Sequence, residues 1–103
     1  MGLLNFLFGN KNKEIKDFYN RGAVIIDVRT TGEYKLGAIA GSKNIPLQVI
    51  NEKVNVIKKL NKPIITCCAS GIRSGNAASI LNSNGIECIN GGGWKSLKNS
   101  IGN

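Results

Sequence analysis

Residues 63–74 read PIITCCASGIRS, and they join a short apolar run to a loop of small residues. The apolar run ends in polar residues, which is typical of a strand buried on both faces of a parallel sheet. Apolar residues then return at helical spacing, at Ala77, Ile80 and Leu81, and Gly85 follows them. The stretch therefore predicts a buried strand, a tight loop and a helix that Gly85 ends.

Short apolar runs and amphipathic stretches alternate along the rest of the chain. Further strands are predicted at 23–28, 43–45 and 86–89. Further helices are predicted at 11–20, 33–36, 47–60 and 95–99, with Thr30 or Thr31 as the cap of the second. The glycines at 91–93 are expected to break the chain before the last helix. This alternation predicts an α/β fold, with one parallel sheet of four to five strands and helices on both faces.

The size and charge of the chain limit what it can bind. Its 103 residues are enough for one domain only. The chain has 14 Lys and Arg residues and six Asp and Glu residues, which gives a net charge of +8. This charge either attracts anionic partners or serves only to keep the surface soluble. The lysines are scattered and aromatic residues make up only 6%, so we expect no binding of nucleic acid.

An apolar run at 3–8 lies in an N-terminal segment, residues 1–10, ahead of the single domain at 11–103. The run is too short to span a bilayer, and it lacks the basic start and the cleavage site of a secretion signal. We expect it to cap the hydrophobic core. The alternative is a weak peripheral contact with a membrane or partner, helped by the lysines that follow it.

The chain contains no His, which excludes catalysis by Cys-His pairs, Ser-His-Asp triads and His general bases, and also zinc sites that use His. Its three cysteines, Cys67, Cys68 and Cys88, are odd in number and lack Cys-x-x-Cys spacing, so neither a disulfide framework nor a structural metal site is expected. We expect free thiols in a reducing, cytoplasmic compartment, and no cofactor.

The loop after Cys68 has the chemistry of an anion site. A Cys between a strand and a helix lies at the helix N-terminus, where exposed N–H groups favour the thiolate. Gly71 and its small neighbours let the loop curl so that its N–H groups point inward. Arg73 adds a permanently charged planar donor. The sequence therefore predicts a thiolate nucleophile that faces an anion site, with a buried structural Cys as the alternative.

These residues resemble the rhodaneses, the thiosulfate sulfurtransferase family. The family signature Cys-x-x-Gly-x-Arg-Ser reads CASGIRS at 68–74, and the upstream signature reads VIIDVR at 24–29, EY at 33–34 and GAIAGSKNIP at 37–46. The resemblance extends from about residue 15 to residue 97. It implies the small three-layer rhodanese fold in its single-domain form.

The resemblance also implies a role for each residue of the site. Cys68 would be the nucleophile that takes up a sulfane sulfur as a persulfide, and Arg73 would bind the sulfur donor or brace the loop. Asp27 would be structural, whereas Arg29 would add positive potential to substrate binding. The remaining loop residues would hold the persulfide and the donor's oxyanion: Ala69, Ser70, Gly71, Ile72 and Ser74.

Two adjacent cysteines leave two registers open for the loop. Four residues separate Cys68 from Arg73, as in rhodaneses, whereas five separate Cys67 from Arg73, as in cysteine phosphatases and arsenate reductases of related architecture. The position of Gly71 favours Cys68. A phosphatase also needs a general acid, and the loop offers neither His nor Asp. Cys67 is then expected in the core, with a resolving thiol as its alternative role, and Cys88 is expected to be a small buried apolar residue.

We therefore expect a monomeric sulfurtransferase without a transmembrane segment. It would move a sulfane sulfur from thiosulfate or a persulfide donor, through a persulfide on Cys68, to cyanide or to the thiol of a small molecule or protein. One alternative is a phosphatase or arsenate reductase that uses Cys67. The other is a non-catalytic rhodanese-like module that binds a partner or delivers sulfur to it.

Overall fold

The computed structural model describes residues 10–102, so the expectation for the apolar run at 3–8 concerns residues outside the described part. The elements follow one another as α1 (Asn10–Asn20), β1 (Val24–Asp27), α2 (Thr31–Lys35), β2 (Lys43–Asn44), a 3₁₀ helix (Leu47–Lys53), α3 (Val54–Lys59), β3 (Ile64–Cys68), α4 (Ile72–Ser83), β4 (Cys88–Gly93) and α5 (Trp94–Ile101). None of the helices within 10–102 is long and apolar enough to cross a membrane.

The four strands form one sheet in the order β2-β1-β3-β4, and every neighbouring pair is parallel. This confirms the predicted α/β fold. In the register of the sheet Asp27 lies opposite Cys67, and Cys68 lies opposite Gly93 after an irregularity in β3. Because the strands are parallel, the carboxyl ends of β1, β3 and β4 meet at one edge, where ligands bind in open parallel sheets.

The central strand β3 divides the core in two. Ile64 and Cys68 belong to a cluster that packs against the 3₁₀ helix, α3 and α4. Ile65 and Cys67 belong to a second cluster, which packs against α1 and α5. Helices therefore cover both faces of the sheet, as predicted, and the two adjacent cysteines point to opposite layers because successive side chains of a strand alternate.

The helix predicted at 47–60 is divided. A 3₁₀ helix comes first, and the α-helix begins only at Val54. Leu47 and Ile50 are three residues apart, so they share one face of a helix that has 3.0 residues per turn. Ile50 is fully buried in that arrangement.

The glycines at 91–93 do not break the chain but form the end of β4, so this expectation was wrong. Two of them, Gly91 and Gly93, lie where neighbouring groups leave no room for a side chain. A Cβ at Gly91 would stand 2.7 Å from Ile65 Cγ2 and 2.8 Å from the Thr66 oxygen, and one at Gly93 would stand 2.9 Å from the Ala69 oxygen. The strand needs glycine because β3 and its loop approach it closely.

Candidate active site

The loop between β3 and α4 surrounds the sulfur of Cys68. The N–H of Gly71 donates to Cys68 Sγ at 3.0 Å, and the N–H of Ser74 does so at 3.4 Å. Gly71 has a φ of 102°, a left-handed conformation that side chains disfavour, and this turn directs its N–H back toward the sulfur. The Ser74 hydroxyl lies 3.3 Å from the same sulfur. The loop is therefore a cradle of donors around one sulfur atom.

This cradle favours the thiolate of Cys68. Burial raises the pKa of the Cys68 thiol, but the Ser74 hydroxyl and the N–H groups of Ser74, Gly71 and Ser70 lower it further than burial raises it. The net result is a pKa below the ordinary value of a cysteine. Hydrogen bonds to the charged form of a group have this effect because they are lost when the group is neutral.

The other two thiols are in different surroundings. Cys67 is fully buried on the other side of the sheet, and burial, followed by the nearby charge of Asp27, raises its pKa far above the ordinary value. Burial raises the pKa of Cys88 to about 12. Both thiols therefore stay protonated near neutral pH, which is typical of cysteines that pack as small apolar residues.

Asn90 of β4 holds the cradle in place. Its Nδ2 donates to the Gly71 carbonyl at 2.9 Å, and its Oδ1 accepts from the Ser74 hydroxyl at 2.7 Å and from the Gly92 N–H at 2.9 Å. Asn90 was not among the site residues predicted from the sequence. Its only signal is a polar side chain at the end of an apolar strand, directly before the glycines.

Arg73 is paired with Glu33 of α2. Its two terminal nitrogens donate to Glu33 Oε1 at 2.7 Å and to Glu33 Oε2 at 3.0 Å. Glu33 is held in turn by the cap of α2, because the Thr30 N–H donates to Oε1 at 3.0 Å. Arg73, with a smaller contribution from Thr30, lowers the pKa of Glu33 to about 2. Arg73 therefore ties the first turn of α4 to α2. Glu33 was not among the site residues predicted from the sequence, although Thr30-x-x-Glu33 is a capping-box pattern.

Arg29 and Asp27 form a buried pair at the end of β1. Arg29 Nε donates to Asp27 Oδ1 at 2.9 Å, and Arg29 Nη2 donates to Asp27 Oδ2 at 2.7 Å and to the Gly37 carbonyl at 2.7 Å. The Arg29 guanidinium also lies over the Trp94 ring, 4.7 Å from its centre. These contacts make Arg29 a brace between β1, the Gly37 loop and α5. A direct contact between Arg29 and a substrate stays a prediction.

The other predicted loop residues form the outer side of the cradle. Ala69 and Ser70 are exposed, and 74% of Ile72 is exposed at the first position of α4. The structure therefore brings Gly71 and Ser74 onto the sulfur of Cys68, which is itself fully buried, and leaves the side chains of the other three toward solvent. Such a site can hold a thiolate or a negatively charged sulfur species bound to it.

Comparison with known proteins supports the resemblance to the rhodaneses. The family model of the rhodanese-like domain matches residues 11–100. The chain is 41% identical over 69 residues to Bacillus subtilis YqhL, a match that covers 67% of this chain and 54% of YqhL. The chain thus spans about half the length of that relative. Thiosulfate sulfurtransferase PspE of Escherichia coli is 32% identical over 74 residues, which cover 70% of this chain and 71% of PspE.

A solved structure agrees with the fold as well. A rhodanese with anions from Escherichia coli has a TM-score of 0.66 and 31% identity to this chain, and the match covers 73% of this chain and 91% of the other. The family model thus matches most of the sequence, and a solved structure of a related protein has the same fold. The resemblance noted in the sequence is confirmed, and the chain belongs to the rhodanese-like domain family.

Proposed function

We propose that this chain is a sulfurtransferase that carries a sulfane sulfur on Cys68. The supporting observation is the cradle, in which the N–H groups of Gly71 and Ser74 and the Ser74 hydroxyl point at the sulfur of Cys68. A thiolate in this position is a nucleophile, and the same donors suit the negative charge of a persulfide. The name of the relative PspE supports the same activity.

The first half of the reaction loads the sulfur. The Cys68 thiolate attacks the outer sulfur of thiosulfate, a new S–S bond forms, and the S–S bond of thiosulfate breaks with both electrons going to sulfite. One thiolate and one thiosulfate dianion become one Cys68 persulfide anion and one sulfite dianion, so charge balances. No proton moves, which suits a site whose composition offers no His as an acid or base.

The second half unloads the sulfur. An acceptor thiolate or cyanide attacks the outer sulfur of the persulfide, the bond to Cys68 Sγ breaks, and Cys68 returns as a thiolate. The sulfur moves without net oxidation of the protein, and the two halves make a ping-pong reaction.

The location of Cys67 argues against its use as the nucleophile. Its side chain belongs to the cluster against α1 and α5, whereas the cradle surrounds its neighbour Cys68. Its raised pKa also keeps it protonated. The intact cradle likewise favours catalysis over a module that only binds a partner.

Intact mass after incubation with thiosulfate tests the proposal. We expect a gain of one sulfur atom in the parent and in Cys67→Ser, no gain in Cys68→Ser, and loss of the added sulfur on treatment with cyanide. Cys67→Ser is the matched control because it changes the adjacent thiol. A parent that gains no sulfur from either thiosulfate or an organic persulfide would contradict the proposal, and so would a gain that persists in Cys68→Ser.

A further inference from the structure

The side-chain amide of Asn90 is fixed in one orientation. Its Nδ2 donates to the Gly71 carbonyl at 2.9 Å, and its Oδ1 accepts from the Gly92 N–H at 2.9 Å. A flipped amide would set its NH₂ against the Gly92 N–H and its oxygen against the Gly71 carbonyl, so both bonds would be lost. The atom of Asn90 that faces Ser74 is therefore an oxygen, which accepts hydrogen bonds and has no proton to donate.

The hydroxyl of Ser74 lies between this oxygen and the sulfur of Cys68. Its Oγ is 2.7 Å from Asn90 Oδ1 and 3.3 Å from Cys68 Sγ, and the residue is fully buried. A distance of 2.7 Å between two oxygens is that of an O–H···O hydrogen bond, so the hydroxyl donates to Asn90 and presents its lone pairs to the sulfur. This arrangement suits an uncharged Sγ and opposes a thiolate.

The charge on Sγ changes during the proposed reaction. In the thiolate the full charge is on Sγ, and the hydroxyl stabilises it only by turning away from Asn90. Two buried oxygens then lie 2.7 Å apart without a proton between them, which is unfavourable. In the persulfide the charge is on the outer sulfur, so the hydroxyl gains little at Sγ and returns to Asn90. The hydrogen bond to Asn90 is therefore made in the loaded form and lost in the thiolate.

We propose that Asn90 is a positioning residue that draws the Ser74 hydroxyl away from Cys68 and thereby favours the sulfur-loaded form over the free thiolate. The inference rests on the proposed function. During loading, the bond between Cys68 Sγ and the outer sulfur forms, and the S–S bond of thiosulfate breaks with both electrons going to sulfite. No proton leaves the site, because the hydroxyl only rotates to Asn90. The rotation is reversed when an acceptor removes the sulfur.

The other groups around Cys68 are not bonded to the Asn90 side chain. The charged side chains around the loop are already paired, Arg73 with Glu33 and Arg29 with Asp27. Burial raises the pKa of Cys67 in β3 and of Cys88 in β4, so both thiols stay protonated near neutral pH. The 3₁₀ helix and α3 bring apolar side chains to the cluster in which Cys68 lies. Substitution of Asn90 therefore acts on Cys68 through Ser74 or through the shape of the loop.

Two substitutions of Asn90 act on the hydroxyl in opposite directions. Asn90→Leu nearly keeps the shape but offers no acceptor, so the hydroxyl is free to donate to the thiolate. Asn90→Asp keeps the acceptor and holds the hydroxyl more firmly, because the acceptor is charged. Each variant is compared with and without Ser74→Ala, since a looser loop or the added charge affects both members of the pair and cancels in the difference.

The measurement is the midpoint of the profile of Cys68 alkylation by iodoacetamide against pH. We expect Ser74→Ala to raise this midpoint by about 0.7 of a pH unit more in the Asn90→Leu background than in the parent, the effect of one hydrogen bond. In the Asn90→Asp background Ser74→Ala should raise it less than in the parent. If Asn90→Leu does not fold, the comparison of Asn90→Asp with the parent decides.

The matched control is Asn82→Leu. Asn82 also bonds β4, since its Oδ1 accepts from the Cys88 N–H at 3.1 Å, but it makes no bond to Ser74. Ser74→Ala should have the same effect in this background as in the parent. An equal effect of Ser74→Ala in the parent, Asn90→Leu and Asn90→Asp would overturn the inference, because Asn90 would then hold the loop without directing the hydroxyl.

The preference for the loaded form is measured by mass at a fixed ratio of thiosulfate to sulfite, at a pH where Cys68 is ionised in every variant. We expect the ratio of persulfide to free thiol to be about fivefold lower in Asn90→Leu than in the parent, and the difference to disappear in the Ser74→Ala background. An unchanged ratio would overturn the preference. A parent that gains no sulfur would overturn the proposed function and this preference together, whereas the alkylation profiles decide the control of the hydroxyl by themselves.

Discussion

The hydroxyl of Ser74 has one proton and two neighbours that could accept it. Asn90 Oδ1 lies at 2.7 Å and Cys68 Sγ at 3.3 Å. When Cys68 is a thiol, its own S–H can donate to Ser74 while Ser74 donates to Asn90. When Cys68 is a thiolate, it can only accept, and the hydroxyl can turn toward it. This single rotation lets the same residue serve both protonation states, and it explains why the hydroxyl contributes to the lowered pKa of Cys68.

Removal of this hydroxyl should therefore raise the pKa of Cys68. In Ser74→Ala the Cys68 thiolate loses a hydrogen-bond donor, whereas the neutral thiol loses a weaker interaction. Ionisation of Cys68 therefore becomes less favourable, and the pH profile of alkylation should move to higher pH. We expect the rate of reaction with iodoacetamide at neutral pH to fall by about tenfold, the effect of one hydrogen bond to a charged group.

The measurement is the rate of alkylation of Cys68 against pH, followed by mass. Ser79→Ala is the matched control, because Ser79 is an exposed serine on the same helix. A profile of Ser74→Ala that coincides with the parent's would show that the backbone N–H groups alone set the pKa.

The ion pair between Arg73 and Glu33 joins helix α4 to helix α2. Helix α2 has five residues and buries none of them, so packing alone does little to hold it. Its capping box and the ion pair supply specific contacts instead. The pair also has an electrostatic cost for the reaction, because the Glu33 carboxylate bonded to Arg73 opposes the approach of an anionic donor to the loop.

Replacement of Glu33 by Gln separates the structural role of this residue from its electrostatic effect on the donor. Gln keeps the capping box, since Glu and Gln both serve at this position, but it removes the negative charge. We expect the second-order rate of persulfide formation from thiosulfate to rise about threefold at low salt, and the difference to fade as salt screens the charges. The rate with the neutral reagent iodoacetamide should stay at the parent value.

The control for this variant is Glu52→Gln, which removes one exposed acid of the 3₁₀ helix and gives the same change in net charge. An equal rise in the rate of persulfide formation in both variants would mean that the net charge of the protein, and not the position of Glu33, causes the increase. A fall in the rates with both thiosulfate and iodoacetamide would show that the ion pair serves to hold the loop.

The same elements show what could be predicted from the sequence. The strand before Cys68 and the loop after it have strong local signals, because apolar runs, small residues and the Cys-to-Arg spacing lie next to one another in the chain. Asn90 and Glu33 reach the loop only through the fold, from positions 19 residues beyond Gly71 and 40 residues before Arg73. A single sequence carries no signal for contacts of that kind. The predicted helix at 47–60 was divided because its apolar spacing satisfies a 3₁₀ helix as well as an α-helix.

The glycines at 91–93 were misinterpreted for a reason that concerns the whole molecule. Glycine usually interrupts a strand, since it brings no side chain to pack. Here α5 and the neighbouring strand β3 both approach Gly91 closely, and the space for a Cβ is taken by Ile65, Thr66 and Leu97. Only the assembled core shows that the absence of a side chain is required. The sheet, α5 and the catalytic loop thus depend on one another for their positions.

Gly91→Ala should therefore destabilise the entire domain. Its Cβ would stand 2.7 Å from Ile65 Cγ2, 2.8 Å from the Thr66 oxygen and 2.9 Å from Leu97 Cδ2, and the backbone oxygen cannot move without disturbing β3. We expect the free energy of unfolding in urea to fall by about 2 to 3 kcal/mol, as for other overpacked core positions. Gly32→Ala is the matched control: it lies in α2, its nearest neighbour would be 4.0 Å away, and it should stabilise the domain by up to about 1 kcal/mol. If Gly91→Ala unfolds at the same urea concentration as the parent, β4 can move away from β3 and α5, and the close packing of β4 against these two elements does not determine where the catalytic loop lies.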